Sequence, residues 1–296
     1  MLLTITFERS TVKSFITSIR ERFRFLSEAT ILAALLILTI FIWRLVADTP
    51  DGKLHITFLN AGSADAVLIQ TPTGRNILID GGPSASSLSD ALGRRLSPLD
   101  RQLDWLIMAS TNEDQVTSLP RILPRYPPKN VLLSGSAQAS FSAREVMQWL
   151  ADESIVVTRA EEGQTLDLGK GATLKLVNIS SGGATLLIEW NGFRALLPIG
   201  ENFDTLSQLE YGKTIGRVNV LSLAQSGYAQ LTPPEWIQNL DPQLTVLSVA
   251  AGDPQGLPDQ ETLDALGDRS LLRRDLNGWI EVMTDGKQMW VRVEKK

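Results

Sequence analysis

The side chains best suited to chemistry in this sequence are carboxylates and amides, because the residues that most enzymes use are nearly absent. The chain of 296 residues has no cysteine and a single histidine, His55. Thiolate metal sites, disulfides and cysteine nucleophiles are therefore excluded. A catalytic zinc site usually has two or three imidazole ligands, which a single histidine cannot supply. We expect His55 to be a partly exposed strand residue rather than a catalyst.

A cluster of oxygen donors lies in the middle of the chain. It consists of Asn112, Glu113, Asp114 and Gln115, and folding would have to bring Glu201 to it. Oxygen ligands of this kind bind Mg²⁺, Mn²⁺ or Ca²⁺, and such an ion serves hydrolases and nucleases that act on phosphodiesters. The spacing matches no established cation-binding loop, and neutral amides bind metal weakly. A metal-dependent hydrolase is therefore the alternative hypothesis.

Three aspartates lie beside turns or helix starts. Asp65 and Asp80 have glycine within a few residues, and Asp114 precedes an apolar helical pattern. Short acidic side chains in such positions usually accept hydrogen bonds from nearby backbone amides. We expect Asp65 and Asp80 to bond turn amides, and Asp114 to cap the helix that follows it.

The elements that must position these residues alternate between strands and helices from Lys53 onward. Ser142 with Glu145 predicts a capping box, and Thr232 before Pro233 predicts another helix start. The runs that predict strands are 54–60, 66–70, 76–80, 103–109, 173–179, 185–190, 193–197, 218–223 and 245–249, with a final hairpin over 279–293. Strands interleaved with helices in this way indicate sheets covered by helices, an α/β layered domain.

Composition places the chain among folded globular proteins. Hydrophobic residues make up 43% and charged residues 21%, which excludes a disordered or low-complexity chain. The formal net charge is −5. A protein that binds nucleic acid without sequence preference usually presents a basic surface, which this charge does not provide overall.

A long apolar segment near the N-terminus predicts a transmembrane helix. Residues 29–47 contain one charged residue, Arg44, and their number is close to the roughly 20 that a helix needs to cross a bilayer. The preceding residues 1–28 are basic, so the positive-inside rule predicts a cytoplasmic leader and an extracytoplasmic domain over 48–296. The leader is longer than a usual signal peptide's basic region, which favours an uncleaved anchor, although cleavage stays open.

Two segments resemble a known family. The run Ile56–Ile69, which reads ITFLNAGSADAVLI, and the run Asn76–Gly82, which reads NILIDGG, are similar to the opening of the metallo-β-lactamase-like domain of the ComEC/Rec2 family of DNA-uptake proteins. The resemblance continues through Leu103–Leu119 and Val220–Gly227 to Asp275–Val293. It implies a four-layer αββα sandwich of the metallo-β-lactamase type, preceded here by one N-terminal transmembrane helix.

The resemblance also implies zinc, but this chain departs from the family at the metal ligands. Only Asp114 keeps the family's residue, because Ser, Asn, Gln and Gly replace the histidines and the bridging aspartate. The corresponding positions are Ser110, Asn112, Asp114, Gln115, Gly200, Gln225 and Ser226. Hydroxyls and amides are weak ligands for zinc. We therefore expect a vestigial site with Asp65 and Asp80 in turns beside it, no catalytic residue and no cofactor.

These observations lead to an expected role as a membrane-anchored, non-catalytic protein that binds or scaffolds at the bacterial cell surface. The family resemblance suggests a partner in a DNA-uptake or envelope assembly. Nucleic acid itself is disfavoured, because residues 48–296 carry a formal charge of −8 once the basic N-terminal part is set aside. The alternatives are the metal-dependent hydrolase or nuclease, and a sensor that binds a soluble ligand in the vacated pocket.

Overall fold

The computed structural model describes residues 30–40, 50–200 and 202–295. The chain divides into two units, Met1–Thr49 and Pro50–Lys296. In the first unit, residues 30–40 form a helix, α1, whose side chains are exposed.

The predicted membrane segment 29–47 is described only in part. Residue 29, residues 41–47 and the predicted leader 1–28 lie outside the described residues. Within the described parts of the chain, no helix has both the length and the apolar character needed to span a bilayer.

The second unit is built on two sheets. In chain order the strands are β1 (Leu54–Phe58), β2 (Val67–Gln70), β3 (Asn76–Ile79), β4 (Leu103–Met108), β5 (Pro128–Leu133), β6 (Val156–Arg159), β7 (Thr165–Gly169), β8 (Ala172–Ile179), β9 (Ala184–Trp190), β10 (Phe193–Ile199), β11 (Val220–Leu223), β12 (Leu244–Leu247), β13 (Leu271–Arg273), β14 (Ile280–Thr284) and β15 (Met289–Val293). One sheet has the order β15-β14-β1-β2-β3-β4-β5-β6, and the other has the order β13-β12-β11-β10-β9-β8-β7. Each sheet is parallel at one end, over β3 to β6 and over β10 to β13, and antiparallel elsewhere.

Helices cover the outer face of each sheet. The helices of the second unit are α2 (Ala85–Gly93), α3 (Glu113–Val116), α4 (Leu119–Ile122), α5 (Phe141–Asp152), α6 (Phe203–Gln208), α7 (Pro234–Leu240), α8 (Gln260–Leu266) and α9 (Arg274–Asn277). Apolar residues of α2, α4 and α5 pack on the first sheet, and those of α6, α7 and α8 pack on the second. The prediction of an α/β sandwich with two helix-covered sheets is confirmed.

Strand alternation produces the core between the sheets. Leu54, Ile56 and Phe58 of β1 are buried in that central core. Leu68 of β2 and Leu78 of β3 point the other way, into the core beneath the helices. Successive side chains of a strand point to opposite faces, so a strand covered on both sides needs apolar residues at every position. The continuous apolar runs in the sequence follow from this requirement.

Two predicted helix starts were wrong by one or two residues. Helix α5 begins at Phe141, and the Ser140 hydroxyl caps it by accepting from the amide of Ala143. Ser142 is therefore inside the helix rather than at its cap. Helix α7 begins one residue later than predicted, with Pro233 rather than Thr232 at the N-cap position. Strands β5, β6, β7 and β13 were not predicted, since their apolar runs are short or interrupted by polar residues.

His55 lies between two carboxylates on the surface of the first sheet. Its Nδ1 is 2.9 Å from Oε1 of Glu281, and its Nε2 is 3.0 Å from Oδ1 of Asp51. The hydrogen bond with Glu281 is the main reason why the pKa of His55 is raised. The His55 hydrogen bond likewise lowers the pKa of Glu281. The histidine thus connects the segment before β1 to β14.

This contact predicts that the domain loses stability as the solution becomes alkaline. Because the pKa of His55 is raised by folding, its contribution is complete below about pH 6.5 and is lost as pH rises through the folded-state pKa. We expect His55→Gln to lower the free energy of unfolding at mildly acidic pH by about 1 kcal/mol and to have a smaller effect at alkaline pH. Urea denaturation of both proteins across this pH range measures the difference. An equal effect at every pH would contradict the prediction.

Candidate functional site

Loops that follow the strands of both sheets enclose a cavity of 440 Å³. These loops follow β1, β4, β10, β11 and β12. The predicted site residues that line the cavity are Asp65, Asn112, Asp114, Gln115, Gly200, Gln225 and Ser226. Ser110 and Asp80 do not line it, and both are completely buried. Folding therefore brings most of the predicted positions to one place, although they range in sequence from Asp65 to Ser226.

Asp80 fixes the start of the loop after β4. Its Oδ1 accepts from the amide of Ala109 at 2.8 Å, and its Oδ2 accepts from the amide of Ser110 at 3.2 Å. Burial raises the pKa of Asp80 well above its usual range. The amides that it bonds belong to the neighbouring strand end rather than to its own turn, so Asp80 holds the site loop in place.

Ser110 and Gly200 pack closely against Gly182. The Ser110 hydroxyl donates to the carbonyl oxygen of Gly182 at 2.7 Å. Gly200 has a φ of +62°, and a Cβ atom there would lie 2.3 Å from the same carbonyl oxygen and 2.8 Å from Oγ of Ser110. Position 200 therefore has no room for a side chain unless the backbone moves.

Gln115 joins three loops at the base of the cavity. Its side-chain Oε1 accepts from the amide of Asp65 at 2.9 Å. Its carbonyl oxygen accepts from the amides of Gly81 and Gly82, each at 2.9 Å. Gln115 therefore serves as a hydrogen-bonding tie between loops, at a position where the resemblance predicts a histidine ligand.

Glu113 and Asp114, two of the predicted oxygen donors, point to different surroundings. The Glu113 carboxylate turns to α5 and accepts from the amide of Ser142 at 3.1 Å and its hydroxyl at 2.5 Å, which lowers the pKa of Glu113. Asp114 is not the predicted helix cap, since α3 begins at Glu113 with Asn112 at the N-cap position. Asp114 instead faces the cavity, whose walls displace solvent and raise its pKa. Glu201 lies outside the described residues.

Gln225 and Ser226 form a tight turn after β11. Their φ angles are +42° and +55°, which are uncommon outside glycine. The Ser226 hydroxyl lies 2.8 Å from the carbonyl oxygens of both Ser63 and Ser248, and its single hydrogen is donated to one of them at a time. Ser226 therefore ties this turn to the loop after β1 and to the end of β12, while Gln225 is exposed on the cavity wall.

Arg274 is a further site-forming residue that the sequence did not indicate. It is 1% exposed, and its guanidinium donates to the carbonyl oxygens of Leu59, Gly62 and Ala64. Burial lowers its pKa to about 10, so it stays charged at neutral pH. Nothing in a polar stretch of sequence distinguishes a buried arginine from an exposed one. Arg274 holds the loop that carries Asp65 into the cavity.

Zinc, the metal that the resemblance implies, does not fit these donors. The hydroxyls of Ser110 and Ser226 donate hydrogen bonds to backbone carbonyl oxygens, and Gly200 has no side chain. Across residues 30–40, 50–200 and 202–295, no three His, Cys, Asp or Glu residues form a group that could hold a metal ion. Zinc sites need histidine, thiolate or carboxylate ligands in a tetrahedral set. We therefore assign no catalytic step to a metal here.

The chain is similar in sequence to ComE operon protein 3 of Bacillus subtilis (strain 168). The two are 19% identical over 265 residues, which cover 77% of this chain and 32% of that protein. The chain thus spans about a third of the length of this relative. No protein-family model matches the chain.

Solved structures share the fold. A mutant of the CmlA beta-hydroxylase has a TM-score of 0.52 and 16% identity, and the match covers 80% of this chain and 54% of that one. The metallo-beta-lactamase fold protein YhfI from Bacillus subtilis has a TM-score of 0.51 and 12% identity, with 80% of this chain and 99% of that one covered. At such identities the likeness concerns the fold and carries no activity with it.

Proposed function

We propose that this chain, which has the metallo-β-lactamase fold and resembles ComE operon protein 3, is a non-catalytic binding or scaffolding protein. Its metal chemistry is replaced by a hydrogen-bonded framework. The observation that carries the proposal is the use of Ser110, Gln115 and Ser226 as ties between loops, at positions where the family has metal ligands. Gly200 also supports the proposal, because its surroundings leave no space for the side chain of an acidic ligand.

The fold does not depend on a metal in this proposal. A layered sandwich is stabilised by its buried apolar residues, which pack in three cores, one between the sheets and one on each outer face. Ser110, Gln115 and Ser226 tie the site loops together through neutral hydrogen bonds, which need no metal ion. Loss of the metal ligands is therefore compatible with a stable domain that presents a surface or a cavity.

The direct test is metal analysis combined with a nuclease assay on the purified full chain. We expect less than one bound zinc per chain, and no cleavage of single- or double-stranded DNA in Mg²⁺ or Mn²⁺. Stoichiometric zinc would refute the proposal. Cleavage in Mg²⁺ or Mn²⁺ that is lost in Asp114→Asn would favour the alternative, a phosphodiester hydrolase with an oxygen-ligand site.

Thermal stability gives an independent prediction. We expect a chelator to leave the melting temperature unchanged, because no tie between the site loops involves an ion. Asp114→Ala should cost about 1 kcal/mol or less, since this side chain is exposed to the cavity. Leu106→Ala in β4, where the side chain is completely buried, should cost about 2–5 kcal/mol. A chelator effect of several degrees, or an Asp114 effect larger than the Leu106 effect, would contradict the prediction.

We further propose that the protein acts at the bacterial cell membrane within an envelope or DNA-uptake assembly. The apolar segment 29–47 and the basic leader before it support an orientation with residues 48–296 outside the cytoplasm. We expect protease added to intact spheroplasts to digest the domain and to spare the leader. Full protection of residues 48–296 in intact spheroplasts, with digestion after lysis, would contradict this orientation.

A further inference from the structure

Strand β15 forms an open edge of the first sheet. Within residues 30–40, 50–200 and 202–295, no strand pairs with its outer side. The edge strands β6 and β13 are shorter, with four and three residues, and the register of β7 shifts between Asp167 and Gly169. Strand β15 has five residues in an unbroken register with β14. A regular edge strand presents free backbone donors and acceptors that can pair with another strand.

The hydrogen bonds to β14 show which backbone groups of β15 point outward. The amide of Glu294 donates to the carbonyl oxygen of Trp279, and the register of β14 and β15 continues from this pair without a shift. Hydrogen-bonded and non-hydrogen-bonded pairs alternate along antiparallel strands. Every second residue of β15 therefore directs its amide and carbonyl oxygen away from the sheet. These residues are Met289, Val291 and Val293.

The same three residues place apolar side chains at the rim of the central core. Met289 and Val293 are partly buried against that core. Val291 lies between them on the same face of the strand and is 40% exposed. Strand β15 has no proline, lysine or bulge, which are features that usually prevent pairing with another chain, and Arg292 is its only charged residue.

We propose that β15 pairs in antiparallel fashion with β15 of a second copy of this chain, about a two-fold axis at Val291. This register lets all three outward-facing residues form backbone hydrogen bonds. It sets Val291 opposite Val291 of the second copy, and Met289 opposite Val293. The central core of each copy then continues across the shared edge, which covers the exposed side chain of Val291.

The charged residue of β15 also finds a partner in this register. Arg292 lies opposite Trp290 of the second copy, in a pair without backbone hydrogen bonds, where side chains approach most closely. The Trp290 ring already attracts one cation, since Nζ of Lys53 lies 4.2 Å from its centroid, and an indole has a second face for a guanidinium. Glu281, opposite Arg292 on β14, offsets the charge that the two arginines bring to the interface.

Cysteine cross-linking on the full chain tests the pairing, because the natural sequence has no cysteine. Five residues per strand make a small interface, so we expect a reversible dimer that a covalent bond can trap. Opposed Cα atoms in a hydrogen-bonded antiparallel pair lie about 5.5 Å apart, which is within disulfide range. Under mild oxidation Val291→Cys should give a disulfide-linked dimer.

Val156→Cys is the matched control variant. Val156 is 67% exposed on β6, the opposite edge of the same sheet. Its cysteine is therefore at least as accessible to oxidant and to chance collision as the cysteine at position 291. We expect Val156→Cys to show only background cross-linking.

A mixture of two variants tests the register. Met289→Cys and Val293→Cys should cross-link when they are mixed. Met289→Cys alone should not, because its two copies lie four positions, about 13 Å, apart along the paired strands. Adding Val291→Pro to both variants should abolish the cross-link and leave the monomer folded by circular dichroism, since proline is tolerated where the amide of an edge strand faces solvent.

Several results would overturn the inference. Absence of a Val291→Cys dimer refutes it, and equal cross-linking of Val156→Cys would show that the dimer arises from chance collision. Cross-linking of Met289→Cys alone as strong as that of the mixture would exclude the register. A cross-link that survives Val291→Pro would show association through another surface. None of these results bears on the proposed non-catalytic function, which zinc content and DNA cleavage test separately.

Discussion

Replacing Arg274 by Met should lower the free energy of unfolding by about 3–5 kcal/mol, as expected when one partner of a buried charged network is removed. Methionine would leave the carbonyl oxygens of Leu59, Gly62 and Ala64 buried without their donors. It would also remove the positive charge that offsets burial of Asp65. Urea denaturation measures the loss. Arg274→Lys should recover little, because a single ammonium cannot reach all the acceptors that a guanidinium reaches.

Arg273→Met provides the matched control in the neighbouring residue. Arg273 pairs with Asp275, with its Nη2 2.8 Å from Oδ2, and its side chain keeps 24% of its surface exposed. Partly exposed ion pairs contribute about 1 kcal/mol or less. If Arg274→Met cost no more than Arg273→Met, the three carbonyl oxygens would have to be satisfied in some other way, and the structural role given to Arg274 would be wrong.

Gly200→Asp should destabilise the domain by about 2–5 kcal/mol, although it restores the residue type that the family resemblance places there. The Cβ atom would lie 2.3 Å from the carbonyl oxygen of Gly182, which is backbone and cannot rotate away. The φ of +62° adds strain for any residue other than glycine. The variant should also fail to gain zinc, because the hydroxyl of Ser110 remains donated to Gly182.

Two alanine variants separate the collision from the backbone strain. Gly252 has a φ of +68°, and a Cβ atom there would meet nothing within 4 Å. Gly252→Ala therefore reports the cost of a positive φ alone, about 1–2 kcal/mol. Gly200→Ala should cost clearly more than this. Equal costs for the two alanine variants would show that the strand ends around Gly182 yield easily, and that an aspartate is sterically tolerated at position 200.

The arrangement of elements could be predicted from the sequence because it depends on local patterns. Apolar runs such as 105–108 in β4 must be covered on both faces, and in this fold helices cover one face of the sheet while the second sheet covers the other. The predicted strands 185–190 and 193–197 left two residues for the turn between β9 and β10, and Asn191 has there the positive φ that asparagine tolerates. The absent cysteines and the lone histidine restricted the chemistry before any geometry was known.

The roles of the site residues were decided by tertiary structure alone. The sequence predicted Asp114 as a helix cap and Ser142 as a capping serine. In the structure the Ser142 hydroxyl instead donates to the carboxylate of Glu113, which lies 29 positions earlier in the chain. The burial of Arg274 depends on contacts more than 200 residues distant. Composition and periodicity indicate which faces of a helix or strand are apolar. They carry no information on which polar atoms form hydrogen bonds with each other. For that reason the sequence by itself determined the layered α/β fold, while only folding decided that Glu113 accepts hydrogen bonds from α5 and that Arg274 is buried against the loop after β1.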